Sequence, residues 1–441
     1  MNNIQENKAV HTIIAILVSS CLLLFSLGCG GATEELAPLP AGDATQEPAA
    51  SPGPGVSEAS PEPFDIEAAL SREFAPLPTV EITDPDGTWR ARVEAKGTPA
   101  IALDEEGTGT IAIPVGTEGT VDCFVYKQAK DLGGTIGQMF ELTGNSVTYH
   151  KVATTLVDVV GSYAMMEVTG LYTISQNGHQ AAGLFKLAMW AHPTRSVLCY
   201  HDELGYSESF ERVVKGLLSS FQLAKEAPRP DYAEVWTASL SGMPIGFTQI
   251  SINAEKNGNR TYEDRSTMII PRSAQQIKTN DRITTAESDK KGQIIKKSSI
   301  NIEGTAIESD MLLTRTQKRK YRYKGKFQGK DLEGTFSASK KLGFPDSVTV
   351  MARIKKAFQN GKDDAFQVTS YLPSLAPDKL TETKYEIFGT KTPKTFLNHM
   401  GELTFTGTAE ENGDVTKLTM PMGTVSVVLE RIYAHGDILE L

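Results

Sequence analysis

The sequence is poor in the residues that build metal and catalytic centres. It holds seven histidines and four cysteines in 441 residues. No HExxH, paired CxxC or GxSxG occurs, so the spacings that hold zinc or present a nucleophilic serine are missing. Gly107-Thr108-Gly109-Thr110-Ile111-Ala112 has the loose spacing of a dinucleotide-binding turn. A β-branched run follows it, however, where a helix N-terminus would have to meet the phosphates. Cys199-Tyr200-His201-Asp202-Glu203 gathers ligand-type side chains, but neighbours in a strand point to opposite sides and cannot converge on one ion. A Cys–His nucleophilic pair would need Cys123 or Cys199 free beside His150, His179, His192 or His201, and nothing in the spacing requires that. No nucleic-acid module is present. The expectation is a non-enzyme without metal or cofactor.

Charge is also missing locally. Residues 9–28 carry no formal charge, and a short polar stretch with Lys8 precedes them. This layout reads as an export signal, although the run is long enough to span a bilayer if it is retained. Leu27-Gly28-Cys29-Gly30 resembles the lipobox of bacterial lipoproteins, with the small Gly28 before the cysteine and Ser26 where that family usually has Leu. The resemblance implies cleavage after residue 28 and lipidation of Cys29. Val18-Ser19-Ser20-Cys21 fits the same motif, but cutting there would leave LLLFSLG at the start of the mature chain. Two or more acyl chains anchor a protein stably where one does not. Gly30 is not the Asp typical of inner-membrane retention, so the resemblance favours the periplasmic face of the outer membrane.

Residues 30–63 lack Lys and Arg and carry seven prolines, Pro38 to Pro63, among small and acidic residues. Such a segment buries too little surface to offset its ordering entropy. Residues 29–63 are expected to be a lipidated tether. With Cys21 in the signal and Cys29 lipidated, Cys123 and Cys199 remain, both in strand-like stretches and in a compartment where disulfides persist. The expectation is a bridge between them; the alternative is two buried thiols.

Residues 64–226 read as an α+β domain. Apolar and polar residues alternate at 80–82, 110–115 and 121–125, and strands are also expected at 162–169 and 182–190. Asp84-Pro85-Asp86-Gly87 and Asn177-Gly178 mark turns. Phe210, Val213, Val214, Leu217, Leu218 and Phe221 make one helical face over 207–221, with Ser207 placed to cap it. A second helix is expected near 134–142. The layout resembles the PsbP-like sandwich, over about 120 residues and on layout alone.

Ala227-Pro228-Arg229-Pro230 breaks the pattern, and residues 229–441 read as many short-turned strands. Trp236, the turn Ser241-Gly242-Met243-Pro244 and Ile245-Gly246-Phe247 resemble the opening of an envelope domain often joined to transglutaminase-like proteins. Phe366–Ser374 and Lys384–Gly389 fit the same layout. That resemblance implies a curved antiparallel sheet similar to the half-barrel of Lol-type lipoprotein carriers. One amphipathic helix near 347–360 should lie on its open side, with Met351, Ile354 and Phe358 inward. The overall expectation is an α+β chain whose second domain is β-rich.

Within Lys320–Phe327 the period of a strand puts Lys320, Arg322, Lys324 and Lys326 on one face and Tyr321, Tyr323 and Phe327 on the other. The cations are candidates for contact with an anionic surface; in the bland reading they are simply solvated. Trp236, Phe247, Tyr321, Tyr323 and Phe327 are candidates to face a ligand. Trp89, Trp190 and Trp236 also fit plain core packing. Residues 229–441 carry a net charge of +5 and residues 1–228 one of −15, an asymmetry that suits docking or mere solvation. The expected function is a non-catalytic envelope lipoprotein in a structural or accessory role, with the membrane and envelope proteins as partners. The alternative is a carrier holding lipid or lipoprotein on the second domain's sheet, and the remote one is a hydrolase.

Overall fold

The computed structural model describes residues 66–116, 119–142, 147–176, 179–225, 229–271, 277–338, 345–374, 376–400, 403–422 and 425–441. The expected signal, Cys29, the tether, the Asn177-Gly178 turn and Ala227-Pro228 lie outside them. No described helix is long and apolar enough to cross a membrane. The chain divides into two compact units, Met1–Ser71 and Arg72–Leu441. In the first, the described part is the short helix α1 (Ile66–Leu70).

The second unit is mostly antiparallel sheet, as its alternating patterns imply, with few helices. A small sheet pairs Trp89–Glu94 with Thr79–Thr83 on one side and Gln222–Leu223 on the other. A seven-stranded sheet runs in the order Ala100–Leu103, Gly109–Pro114, Thr120–Val125, Ser196–His201, His179–Ala191, Tyr163–Gln176, Val147–Val160. A fourteen-stranded sheet takes the chain from Tyr232 to His435 and is open. Its edges are Lys330–Ser337 and Asp364–Ser370, consecutive strands in the chain. Its first and last strands, Tyr232–Leu240 and Val425–His435, pair in its middle.

Three helices pack on these sheets: α2 (Leu132–Leu142), α3 (Ser207–Ser219) and α4 (Ser347–Gln359). The spacing that predicts α3 buries Phe210, Val213, Val214, Leu217 and Leu218. They share a core with Trp89, Ile111, Val121 and Trp190. Trp89 and Trp190 are therefore packing residues, and the Trp190 indole donates to the Val160 carbonyl at 3.0 Å.

The cap of α3 differs from expectation. Tyr206, not Ser207, is the N-cap, in left-handed backbone conformation and without a side-chain cap bond. The amides of Glu208 and Ser209 donate instead to the Glu73 carboxylate, at 3.2 and 2.7 Å. A residue far away in sequence thus satisfies the helix's open donors, which no local capping signal reveals.

Cys123 and Cys199 face each other in paired strands and form a disulfide. The bridge ties residues 76 apart across the middle of the seven-stranded sheet.

The seven-stranded sheet and α2 lie on one face of the fourteen-stranded sheet. Val235, Phe247 and Ile269 share a core with Ile136, Met166, Leu187 and Met189. Gln249 links the backbones on either side, accepting from the Ala164 amide at 2.7 Å and donating to the Ala191 carbonyl at 3.2 Å. The expectation that Phe247 faces a ligand beside Trp236 is corrected here. Trp236 pairs in register with Thr248 and Thr237 with Phe247. With a side-chain period of two, Phe247 must then point to the face opposite Trp236. It is fully buried there, a contribution of about 1.5–3 kcal/mol.

A cavity between the large sheet and helix α4

Helix α4 joins the two edge strands and lies on the other face of the fourteen-stranded sheet. Its N-cap Asp346 accepts from the Thr349 amide at 2.8 Å, from Arg260 at 2.8 Å and from the Ser288 hydroxyl at 2.7 Å. Ile354 and Phe358 pack on Ile387 and Phe396, and Val348 on Tyr232, Ile252 and Ile438. The expected inward positions hold for Ile354 and Phe358, and Met351 is partly buried beside Val348. The helix covers only part of the face. What it leaves uncovered is a cavity of about 500 Å³, which shares wall residues Asp264, Arg282 and Ile354 with a second one of about 240 Å³.

The larger cavity draws apolar walls from Ile294, Leu313, Ile354, Phe396, Phe405 and Leu418. Polar side chains are many on its walls, several Ser and Thr together with Asp264, Arg282, Lys297, Asp346 and Asn398. Asp264 and Arg282 pair at 3.0 Å, and one Asp264 carboxylate oxygen is buried without a hydrogen-bond partner among the described residues. Asn398 donates to the Tyr385 hydroxyl at 3.4 Å while its own carbonyl oxygen, also buried, has no such partner. Lys297 donates to the Tyr371 carbonyl at 3.1 Å. Burial, helped by the charge of Arg282, lowers the Lys297 ammonium to about 8. Arg282 lines the cavity with 45% of its side chain accessible.

The smaller cavity is lined by Tyr232, Glu234, Trp236 and Ile250 and by Lys355, Asp414 and Arg431. Glu234 is fully buried and accepts from the Tyr232 hydroxyl and, at 2.5 Å, from the Trp236 indole. Burial raises its carboxyl to about 7, against the opposing charge of Arg431. Lys355 holds Asp414 at 2.8 Å and Asp437 at 2.9 Å.

Of the candidate ligand-facing residues, Trp236 lines the smaller cavity. Tyr321 and Tyr323 instead pack with Leu313, Phe336 and Tyr371 in a cluster toward one edge of the sheet. Tyr323 stacks on Phe336 at 4.6 Å. Phe327 is half-buried, and none of these three lines the cavities. Lys320, Arg322, Lys324 and Lys326 are exposed, alternating with those aromatics as the strand period requires. Arg322 pairs with Glu333 on the neighbouring strand, and Lys326 stands in register with Asp310 and Asp331, so acidic neighbours flank the stripe. His201, in the ligand-rich pentapeptide, is buried with Nδ1 on the Thr120 carbonyl at 2.8 Å.

Sequence reasoning missed Asp264, Arg282, Lys297 and Asn398. The strands of Asp264 and Arg282 are rich in Thr, Ser and charge, and a single Lys or Asn in the strands of the other two carries no signal of its own. One signal was present: Arg282, Thr284, Ala286 and Ser288 alternate along one strand, and Lys297 stands in register with Ala286. A long cation among small side chains leaves room around it.

No protein-family model matches the chain and no curated protein matches it. Two solved structures are similar in part. A β-barrel-like protein of a domain of unknown function, DUF1849, from Brucella abortus aligns at 13% identity over 47% of this chain and 98% of its own, with a TM-score of 0.35. A protein from Bacteroides thetaiotaomicron aligns at 13% identity over 35% of this chain, which spans 52% of that protein, with a TM-score of 0.22.

Proposed function

We propose that the protein is a non-catalytic binding protein of the cell envelope, whose large sheet curves into a half-barrel and holds an apolar or amphiphilic molecule beside α4. A lipid chain or the acyl part of a lipoprotein suits the site. The observation that carries this reading is the cavity of about 500 Å³, whose walls combine apolar side chains with many polar ones, as an amphiphile requires. Small-molecule sites commonly fall at roughly 300–1,000 Å³. Its walls come from strands of both halves of the sheet order and from α4, which fits a sheet that curls. A lipidated Cys29 and a proline-rich tether would hold such a site near a membrane.

The accessory reading, in which the protein presents surfaces to envelope partners, is favoured by Met243 and Ile307. Each is 60% exposed and sits beside a hairpin turn. An apolar fluorescent dye distinguishes the two. It should bind the full chain and brighten, and Ala286→Trp, which puts an indole into the cavity, should abolish this. A dye signal that survives Ala286→Trp would place binding on outer apolar surface and count against the cavity reading.

A further inference from the structure

The ligand's chemistry can be taken further, on the reading that the cavity is a binding site. We infer that the cavity takes an anionic amphiphile, its oxyanion held by Lys297 and Arg282 and its chain laid along Ile294, Leu313 and Ile354.

The cavity wall carries two carboxylates, Asp264 and Asp346, and two cations, Arg282 and Lys297, but these four do not pair off among themselves. Asp264 is matched by Arg282 at 3.0 Å, and Asp346 by Arg260 at 2.8 Å. Lys297 is left over: no carboxylate lies within ion-pair distance of it among the described residues, and its bond of 3.1 Å goes to a backbone carbonyl. An ammonium has three donors, so one carbonyl leaves capacity for a ligand. Arg282 engages Asp264 through Nη2 and remains accessible from the cavity. Two cations thus face one partly open cavity in which Asp264 is the carboxylate that pairs with either of them. Removing a cation from water without a counter-ion is unfavourable, and the lowered pKa of Lys297 expresses that penalty. A bound oxyanion would relieve it and make charge-assisted hydrogen bonds, the stronger class. The apolar walls disfavour a bare inorganic anion, which has nothing to bury against them. A carboxylate and a phosphate monoester share the required chemistry.

The test is calorimetric titration of the full chain with dodecanoate, dodecyl phosphate and dodecanol. The two anions should bind at least about tenfold more tightly than the alcohol, a difference of ~1.4 kcal/mol. Lys297→Met should erase that preference, and Lys297→Arg should retain it. The stronger of the two anions names the head-group source. If dodecanol binds as well as the anions, or Lys297→Met keeps the preference, the inference fails and the cavity reading survives. If none of the three binds, both fail.

Discussion

The Asp281 carboxylate accepts a hydrogen bond of 2.7 Å from the amide of Gly134, 147 residues earlier in the chain. A second oxygen accepts from Gly133 at 3.1 Å and from the Thr267 hydroxyl at 2.6 Å. One strand of the large sheet therefore caps the N-terminus of α2, where unpaired amides and the helix dipole favour a negative charge. The glycines make this approach possible, since a Cβ at Gly133 would stand 2.7 Å from an Asp281 oxygen. Asp281→Ala should destabilise the protein by about 2–4 kcal/mol, because two buried amides lose their partner. Urea unfolding measures this. A change below about 0.5 kcal/mol, the scale of surface substitutions, would remove Asp281 from the account of how the sheets are joined.

Phe247 belongs to the same junction. Phe247→Ala should cost about 3–5 kcal/mol, as for other large-to-small core changes, and leave the relative affinities for anionic and neutral ligands as they were. Thermal unfolding combined with the three-ligand titration checks both parts. A stable variant with altered ligand preference would mean that Phe247 does face the ligand.

The Cys123–Cys199 bridge closes a loop across sequence separation 76. Cys123→Ser with Cys199→Ser should lower stability by up to about 4 kcal/mol in the chain-entropy view. Parent protein in reductant should shift its melting temperature in the same direction. Equal melting temperatures with and without reductant would show that the thiols are unbridged.

Glu234 makes stability depend on pH. Its folded pKa, about 7, lies above the ordinary glutamate value of 4.5. The folded state therefore holds a proton that the unfolded chain releases. The stability this contributes is complete below 4.5 and is lost as pH rises through 7, at most ~3 kcal/mol at 1.36 kcal/mol per unit. Glu167, buried and also raised to about 7 chiefly by burial, acts in the same direction. Stability should fall from pH 5 to pH 8 in the parent, and the slope should flatten in Glu234→Gln. An unchanged slope in that variant would contradict the assignment.

Much of the fold was legible because periodicity reports burial. The α3 stripe as far as Leu218, the alternation at Lys320–Phe327 and the amphipathic run of α4 read correctly from spacing, while Phe221 lies beyond the end of α3. What spacing does not report is register and remote partners. Phe247 and Trp236 both look like strand aromatics, and only the pairing of Trp236 with Thr248 separates their faces. Glu73 as the cap of α3 and Asp281 as the cap of α2 are long-range contacts with no local signature. The cavity was hidden for a related reason. Arg282 and Lys297 sit in Thr- and Ser-rich strands that read as solvated, and the space around them exists only once α4 covers the rest of the sheet face.

The most direct test is native mass spectrometry of the intact protein purified from the membranes of the cells that make it. The account predicts a co-purifying anionic lipid-like species, present on the parent and absent from Ala286→Trp. The parent carrying no such species, or the Ala286→Trp variant carrying the same adduct, would contradict the claim that the cavity beside α4 is a binding site.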